Sequence, residues 1–256
     1  MFNLYLIYLE HNVFFDKIKN GDNMKLFAIS DLHLSINSNK PMNIFGPVWD
    51  DYLTKIEQSW SQKVTDEDVV LIAGDISWAM KLSEAEADLN FISQYSGKKV
   101  MIKGNHDYWW NSISNVRNVL PLNMYALQND AIKLGNYVIC GSRGWTVPET
   151  THKTPDDEKI YKRELIRMEL SLKSAQQLMQ PGDTLVVMIH YPPFNSKLEQ
   201  NEFTDLFEKF GVNVVVYGHL HSYDKKQKLI TYINNIKYYL TSCDLIGNEL
   251  IEITKN

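Results

Sequence analysis

The amino-acid sequence predicts an α/β fold in which two β-sheets pack together and helices cover their outer faces. In the first half of the chain, short apolar strands alternate with amphipathic helical segments, which favours parallel strands joined by helices. In the second half, the strands follow one another more closely, which indicates a second and more antiparallel sheet. Several of the predicted strands end in clusters of polar residues, as expected if the carboxyl ends of these strands lie at one edge of a sheet.

Length and composition are consistent with one large domain. The chain has 256 residues, of which 44% are hydrophobic, enough for a single sizeable core. We expect this domain to span residues 24–256, because Met24 leads directly into the first predicted strand. Residues 1–23 are interpreted as an N-terminal appendage, with Met24 as the natural start of the chain.

Charge, cysteine content and hydropathy indicate which binding partners and which cellular location to expect. A formal net charge of -5 disfavours non-specific binding to duplex nucleic acid. Cys140 and Cys243 do not form a Cys-x-x-Cys motif, so we expect two buried, reduced thiols and a cytoplasmic location. No apolar run approaches the roughly 20 residues of a membrane-spanning helix, so no membrane span is expected.

The first half of the chain predicts three strands, each followed by a helix. We expect a helix from Asp50, as its N-cap, to residue 63, and a second from a capping box at Ser83-Glu84-Ala85-Glu86 to Tyr95. A third helix is expected near residues 112–119. The three strands are expected at residues 25–29, 68–73 and 99–103.

The second half adds a long helix and several strands. A loop rich in proline, glycine and threonine at residues 141–155 precedes a helix at 156–179, whose interleaved charges indicate a solvated face. Asn234-Asn235 predicts a tight turn between the last two strands. The remaining expected elements are strands at 124–127, 137–140, 184–189, 212–217, 229–233 and 237–240, and a helix at 201–210.

Five of the predicted strands end in polar clusters. Each cluster alone is typical of a turn, but five together predict a single site at the carboxyl edge of the sheets. Residues two apart on an extended segment point the same way, so Asp31 with His33, and His219 with His221, are each expected to form a pair. The clusters are Ser30-Asp31-Leu32-His33, Gly74-Asp75, Gly104-Asn105-His106-Asp107, His190-Tyr191-Pro192-Pro193 and Gly218-His219-Leu220-His221.

The chemistry of these clusters indicates a metal site. They offer carboxylate and amide oxygens and imidazole nitrogens, without a thiolate. Such a ligand set suits manganese, iron, zinc or magnesium.

The order of the motifs resembles the calcineurin-like metallophosphoesterases, and the resemblance extends from Asp31 to His221. It implies a four-layer α/β/β/α sandwich, with two mixed sheets flanked by helices, and a dinuclear centre of two divalent metal ions. By position in the motifs, the ligands of the first metal would be Asp31, His33, Asp75 and His221. Those of the second would be Asp75, Asn105, His190 and His219.

The resemblance also implies a reaction, the hydrolysis of a phosphomonoester or phosphodiester by metal-bound hydroxide. Two ions about 3.5–4 Å apart repel each other, so a shared anionic ligand such as Asp75 is needed between them. His106 is the remaining histidine of the motifs and is expected to act as the general acid that protonates the leaving group.

Other motifs bear on the substrate. After Asp75, the segment Gly74–Met80 lacks the further Asp and the Arg that protein phosphatases of this superfamily carry, which argues against a phosphoprotein substrate. Asp75-Ile-Ser-Trp, Asp107-Tyr-Trp-Trp, Arg143-Gly-Trp and His190-Tyr-Pro-Pro instead resemble a bacterial subgroup of predicted phosphohydrolases.

Substrate contacts have fewer clues. Arg143 is either a phosphate clamp or part of an ordinary ion pair, and Asn105 is the other candidate contact. The tryptophans near the motifs either pack around the site or stack on the substrate, with packing favoured; they are Trp78, Trp109, Trp110 and Trp145.

The favoured function is therefore a phosphohydrolase acting on a small phosphorylated substrate. A nuclease of the same superfamily is an alternative that the acidic charge balance disfavours. A non-catalytic interaction module on the same fold is a second alternative, which predicts eroded ligand motifs. All five motifs are intact, which weighs against that alternative.

Overall fold

The structure, a computed structural model, describes residues 24–38, 40–151, 154–221 and 228–254. The predicted appendage at residues 1–23 lies outside the described residues. Within the described ranges, none of the helices combines the length and the hydropathy needed to cross a bilayer. Cys140 and Cys243 are both buried and form no disulfide.

The first sheet has five strands in the order β11-β1-β2-β3-β4. Its four strands from the first half of the chain are parallel to their neighbours, and β11 pairs antiparallel with β1. The carboxyl ends of β1, β2 and β3 therefore meet at one edge of the sheet. The strands are β1 (Leu26–Ile29), β2 (Val69–Ile72), β3 (Lys98–Met101), β4 (Met124–Ala126) and β11 (Ile251–Ile253).

The second sheet has six strands in the order β5-β6-β7-β8-β10-β9. Its centre, from β6 to β10, is parallel, and only the outer pairs β5–β6 and β9–β10 are antiparallel. The strands are β5 (Ala131–Leu134), β6 (Tyr137–Ser142), β7 (Thr184–Ile189), β8 (Val214–Tyr217), β9 (Ile230–Ile233) and β10 (Ile236–Leu240). Two of its five strand pairs are antiparallel, compared with one of four in the first sheet, so the second sheet is the more antiparallel of the two, as predicted.

Three apolar cores define the layers. Because side chains alternate along a strand, Phe27 and Ile29 pack against the helices, whereas Leu26 and Ala28 pack between the two sheets. Helices α1 (Tyr52–Lys63), α2 (Leu82–Ser93) and α3 (Ile113–Val119) belong to the first half of the chain.

Helices α4 (Pro155–Leu178) and α5 (Glu202–Lys209) cover the outer face of the second sheet. The architecture is thus two mixed sheets flanked by helices, as predicted.

Local details differ from the sequence-based expectations at several places. Helix α1 begins at Tyr52, and Asp51 occupies its N-cap position with no side-chain cap, so Asp50 is not the cap. Helix α2 begins at Leu82, where Glu84 accepts the backbone N–H groups of Lys81 and Met80, so the capping residue is not Ser83.

The turn between β9 and β10 was predicted correctly. Asn234 and Asn235 both adopt left-handed conformations, with φ of 50° and 66°. This is the geometry of a two-residue hairpin turn that Asn tolerates well.

Candidate metal centre

The two sheets bring their polar strand ends to one place. Asp31, Asp75 and Asn105 follow strands of the first sheet, and His190 and His219 follow strands of the second. Backbone hydrogen bonds join the segments: Asp31 N–H donates to Gly74 O over 3.0 Å. In the second sheet, Gly218 N–H donates to His190 O over 3.1 Å. Residues that lie far apart in sequence are thus held together before any ligand is considered.

Four of the seven predicted ligands have unusual backbone conformations. Asp31, His33, Asp75 and His219 have φ values of 59°, 47°, 52° and 71°, in the left-handed region that residues other than glycine seldom adopt. The expectation that Asp31 and His33 pair along an extended segment was therefore wrong. Their side chains converge because the backbone turns sharply at each strand end, and such strain is commonly concentrated at functional sites.

One group of ligand atoms lies around Asn105. Its Oδ1 is 2.7 Å from His190 Nε2 and 2.8 Å from His219 Nδ1. His190 Nδ1 is 2.9 Å from the carbonyl oxygen of Ala73, which requires the imidazole proton to be on Nδ1 when the ring is neutral. The lone pair of Nε2 then faces the other ligand atoms, as a metal-binding histidine needs.

A second group lies around Asp31. Its carboxylate accepts the Ser30 hydroxyl over 2.5 Å and the His219 backbone N–H over 3.0 Å. His221 Nε2 lies 3.6 Å from Asp31 Oδ1. Potential ligand atoms of Asp31, His33 and His221 lie within 4.8 Å of one another, and so do those of Asp31, Asp75 and His190.

Asp75 lies between the two groups. Its Oδ2 is buried and has no hydrogen-bond donor among the described residues. Two imidazole nitrogens are near this oxygen, His190 Nε2 at 3.4 Å and His33 Nε2 at 3.9 Å. Leaving an ionised oxygen without a hydrogen bond in the interior is costly, even with an imidazole 3.4 Å away. A cation at this point would remove the cost, so the residues present fit a metal centre.

The electrostatics of the centre follow from burial and charge. Burial opposes charge on Asp75, but His190 more than offsets this effect and holds the pKa of the carboxyl well below its usual range. Burial likewise opposes charge on His190, yet Asp75 and Asp31 raise its pKa to about 9. Burial lowers the pKa of His33 to about 3 and that of His219 to about 4. The neutral rings of His33 and His219 are the form that binds metals.

Asp107 ties the loops of the centre together. Its buried Oδ1 accepts the backbone N–H groups of Ile76 and Ser77 over 2.9 and 3.1 Å, and the indole N–H of Trp109 over 2.9 Å. Oδ2 accepts the Gly104 N–H over 2.8 Å. Asp107 therefore connects the segment after β2 with the segment after β3.

His106 lies beside the centre in an aromatic surround. Its backbone N–H donates to Asp75 Oδ1 over 2.7 Å, while its ring is 4.9 Å from the ring of Trp78 and 5.5 Å from that of His33. The imidazole has no hydrogen-bond partner among the described residues and is half-buried. The structure therefore leaves both ring nitrogens of His106 without a hydrogen bond from the described residues.

Two residues near the centre were missed by the sequence analysis. Asp244 Oδ1 lies 3.1 Å from His221 Nδ1, so it can fix the ring that faces Asp31. Trp49 packs against His33 and His221, at ring distances of 6.2 and 6.1 Å. Asp244 follows β10, which is parallel to β8, so the strand-end argument could have identified it; Trp49 has no such signal.

The remaining candidates have distinct environments. Arg143 Nη2 is 3.3 Å from Glu164 Oε1, and its guanidinium lies 5.0 Å from the ring centre of Trp145. The ion pair is not an ordinary surface pair, since Glu164 is 1% exposed. Trp109 and Trp110 pack in the core, as the packing interpretation predicted.

A cavity of about 580 Å³ adjoins the centre on the side of His219. Tyr191 forms part of its wall and lies against His219 with a ring distance of 4.1 Å. Phe194, Leu198 and Leu220 supply apolar surface. The cavity is large enough for the organic part of a small molecule.

A comparison with one solved structure supports the fold, and two others are less similar. A structure from Thermus thermophilus is 15% identical, with a TM-score of 0.57 over 90% of this chain and 98% of that one. A protein of unknown function from Aquifex aeolicus is 14% identical, with a TM-score of 0.48 over 90% and 96% of the two chains. A predicted phosphoesterase from Streptococcus pneumoniae is 13% identical, with a TM-score of 0.36 over 86% and 72%.

A family comparison identifies the chain more closely than these structures do. The family model described as calcineurin-like phosphoesterase matches residues 24–223, a range that includes every predicted ligand. The chain therefore belongs to the calcineurin-like phosphoesterase family.

Proposed function

We propose that the chain hydrolyses a phosphomonoester or phosphodiester at a centre of two divalent metal ions. The observation that carries the proposal is the buried Asp75 Oδ2, which has no donor among the described residues and has two imidazole nitrogens within 3.9 Å. A cation satisfies that arrangement. Membership of the phosphoesterase family supports the class of bond that is cleaved.

The ligands would divide into two sets that share Asp75. One ion would be held by Asp31, His33, Asp75 and His221, and the other by Asp75, Asn105, His190 and His219. Oxygen and imidazole ligands suit manganese, iron, zinc or magnesium. When bound, the ions supply a nucleophile from water and neutralise charge on the phosphoryl oxygens.

His106 would donate the proton that the leaving group requires. Its unpartnered, half-buried ring supports this role, and Trp78 restricts how far the ring can turn. General acid catalysis of this kind accelerates hydrolysis by about 10²–10⁴-fold when the leaving group is poor.

Substrate binding would involve groups on both sides of the centre. Asn105 and Arg143 would contact the phosphoryl group, and the cavity beside His219 would accept the organic part of a small substrate. Residues 24–256 would form one catalytic domain. The buried thiols of Cys140 and Cys243 support a reducing, cytoplasmic setting.

A metal titration tests this proposal. Protein stripped with a chelator would be titrated with Mn²⁺, Fe²⁺, Zn²⁺ or Mg²⁺, and hydrolysis of 4-nitrophenyl phosphate and bis(4-nitrophenyl) phosphate would be followed. We expect saturable activation at two ions per chain, and the ratio of the two rates decides between monoesterase and diesterase.

Two results would contradict the proposal in different ways. Full activity at one ion per chain would overturn the dinuclear centre alone. Failure to hydrolyse either ester with any of the four metals would overturn the activity. Cleavage of a DNA oligonucleotide well above the rate of the aryl diester would favour the nuclease alternative.

A further inference from the structure

A cluster of cations surrounds one buried carboxylate next to the metal centre. Glu164, on helix α4, is 1% exposed, so the expectation that the charges of this helix form a solvated face was wrong for this residue. Its Oε1 lies 2.7 Å from Arg167 Nη1, 3.3 Å from Arg143 Nη2 and 3.4 Å from Arg163 Nη2. Three guanidinium groups thus share a single carboxylate oxygen.

Lys103 adds a fourth cation to this cluster. Lys103 is half-buried, and Arg143 and Arg167 are among the cations that act on it. Its Nζ donates to the carbonyl oxygen of Trp110 over 2.7 Å, so it has no carboxylate of its own there. Asp107 and Glu164 are the acidic groups that act on Lys103.

The positive charge of the cluster is therefore in excess. Four cations are balanced by Glu164 and by Asp107, whose carboxylate is already occupied by four N–H donors. Arg143 Nε and Glu164 Oε2 are both buried and have no hydrogen-bond partner among the described residues. Partly buried positive charge with unused donors is stabilised by an anion, and the guanidinium fork matches a carboxylate or a phosphate.

The cluster is fixed to the same sheet edge as the metal centre. The carbonyl oxygen of Arg143 accepts the backbone N–H of His190 over 3.0 Å and that of Tyr191 over 3.2 Å. Lys103 directly precedes Gly104 and Asn105 in the chain. A substrate whose phosphate reached Asn105 would therefore bring neighbouring groups towards Arg143 and Lys103.

We propose that Arg167 and Lys103, next to Arg143 and the phosphoryl group that it contacts, form a subsite for a second anionic group on the substrate, either a carboxylate or a second phosphate. The inference rests on the proposed function, since it places the hydrolysed phosphate at the metal ligands. Glu164 acts as a positioning residue, because its single negative charge holds three guanidinium groups without neutralising all of them.

A competition experiment tests the subsite. Hydrolysis of 4-nitrophenyl phosphate would be inhibited with propyl phosphate, 3-phosphooxypropanoate or 1,3-propanediol bisphosphate, which differ in the second anion. Because a charge-assisted hydrogen bond to the second anion strengthens binding, we expect at least one doubly anionic inhibitor to bind about tenfold or more tightly than propyl phosphate. The better of the two identifies the second group.

Variants separate a binding role from a structural one. Arg167→Gln should remove most of the advantage of the doubly anionic inhibitor, and Arg167→Lys should restore part of it. Lys173→Gln is the matched control, since Lys173 lies on the same helix and pairs with Glu169, outside the cluster. Equal inhibition by all three compounds, or an advantage that survives Arg167→Gln, would overturn the subsite while leaving the hydrolase intact.

Binding to the metal-free protein keeps the two proposals distinguishable. Calorimetry would compare 1,3-propanediol bisphosphate and 3-phosphooxypropanoate with propyl phosphate, without any turnover. If no ester is hydrolysed but a doubly anionic compound still binds more tightly through Arg167, the proposed function fails and the anion site stands. If the preference is also absent, both fail.

Discussion

Replacement of Asp107 offers a quantitative test of how the centre is assembled. The carboxylate accepts four N–H donors, from Ile76, Ser77, Gly104 and Trp109, and all four residues are buried. Asp107→Ala removes both carboxylate oxygens, and the alanine side chain supplies no acceptor in their place. At about 1 kcal/mol or more for each buried donor left unpaired, we expect a loss of at least about 4 kcal/mol in the free energy of unfolding.

Asp107→Asn is the matched variant. The amide oxygen can keep the three bonds made by Oδ1, whereas the amide nitrogen would face the Gly104 N–H. One unpaired donor predicts a loss of roughly 1–3 kcal/mol, clearly smaller than that of the alanine variant. Burial raises the pKa of Asp107 to about 6, so the carboxyl is mostly ionised at pH 7.5, where the comparison should be made.

Urea unfolding followed by tryptophan fluorescence would measure both losses. A chelator should be present, so that metal binding does not contribute to the free energy. Asp66→Ala, at an exposed position, is the control and should change stability by less than about 0.5 kcal/mol. A loss below about 1 kcal/mol for Asp107→Ala, or equal losses for the two variants, would refute the argument.

Three further predictions concern the centre and the core. Asp75→Asn should lose metal binding, measured by calorimetry, together with hydrolysis of 4-nitrophenyl phosphate, because the shared anionic ligand is gone. His106→Gln should keep both ions but lose about 10²–10⁴-fold in turnover of an alkyl phosphate, and less with an aryl phosphate. Burial lowers the pKa of Lys99 to about 8, so the unfolded chain binds more protons between pH 8 and 10.5. Lys99 therefore destabilises the folded wild-type protein most below pH 8 and less above it. Because Met does not titrate, the stability of Lys99→Met relative to wild type should fall as pH rises from 7.5 to 9.5.

Each of these three has an outcome that contradicts it. Retention of two ions by Asp75→Asn would exclude the bridging role. Unchanged turnover of the alkyl phosphate by His106→Gln would exclude the general acid. A difference between Lys99→Met and wild type that is constant with pH would show that Lys99 has a normal pKa. The exposed Lys55→Met serves as the control for that last comparison.

The sequence allowed the polar strand ends that meet at one edge to be predicted better than the short strands at the borders of the sheets. Strand ends such as Gly104-Asn105-His106-Asp107 carry their signal within a few residues, because a buried strand and its polar turn are both local patterns. Strand β11 (Ile251–Ile253) was not predicted, since it is three residues long and pairs with β1, more than two hundred residues away. Strand β5 (Ala131–Leu134) is only half-buried and lies at a sheet edge, so its apolar pattern is weak.

The burial and the charged neighbours of individual residues were harder to predict than the motifs at the strand ends. Glu164 is one of many acidic residues on its helix, and nothing local distinguishes it as the one that is buried. Its burial depends on Arg143, which reaches it from another element. The left-handed conformations of Asp31 and Asp75 could not be predicted either, because aspartate tolerates this region but most aspartates of the described chain do not adopt it.

The origin of the ligands in both sheets has a consequence for folding. Asp31 and Asp75 follow strands of one sheet, and His190 and His219 follow strands of the other. Ions at the proposed centre would therefore link the two sheets. An ion at a hundredfold excess over its dissociation constant would add about 2.7 kcal/mol to the free energy of unfolding. Cellular metal supply would then set the abundance of the folded protein as well as its turnover, and starvation for the metal would expose the chain to proteolysis.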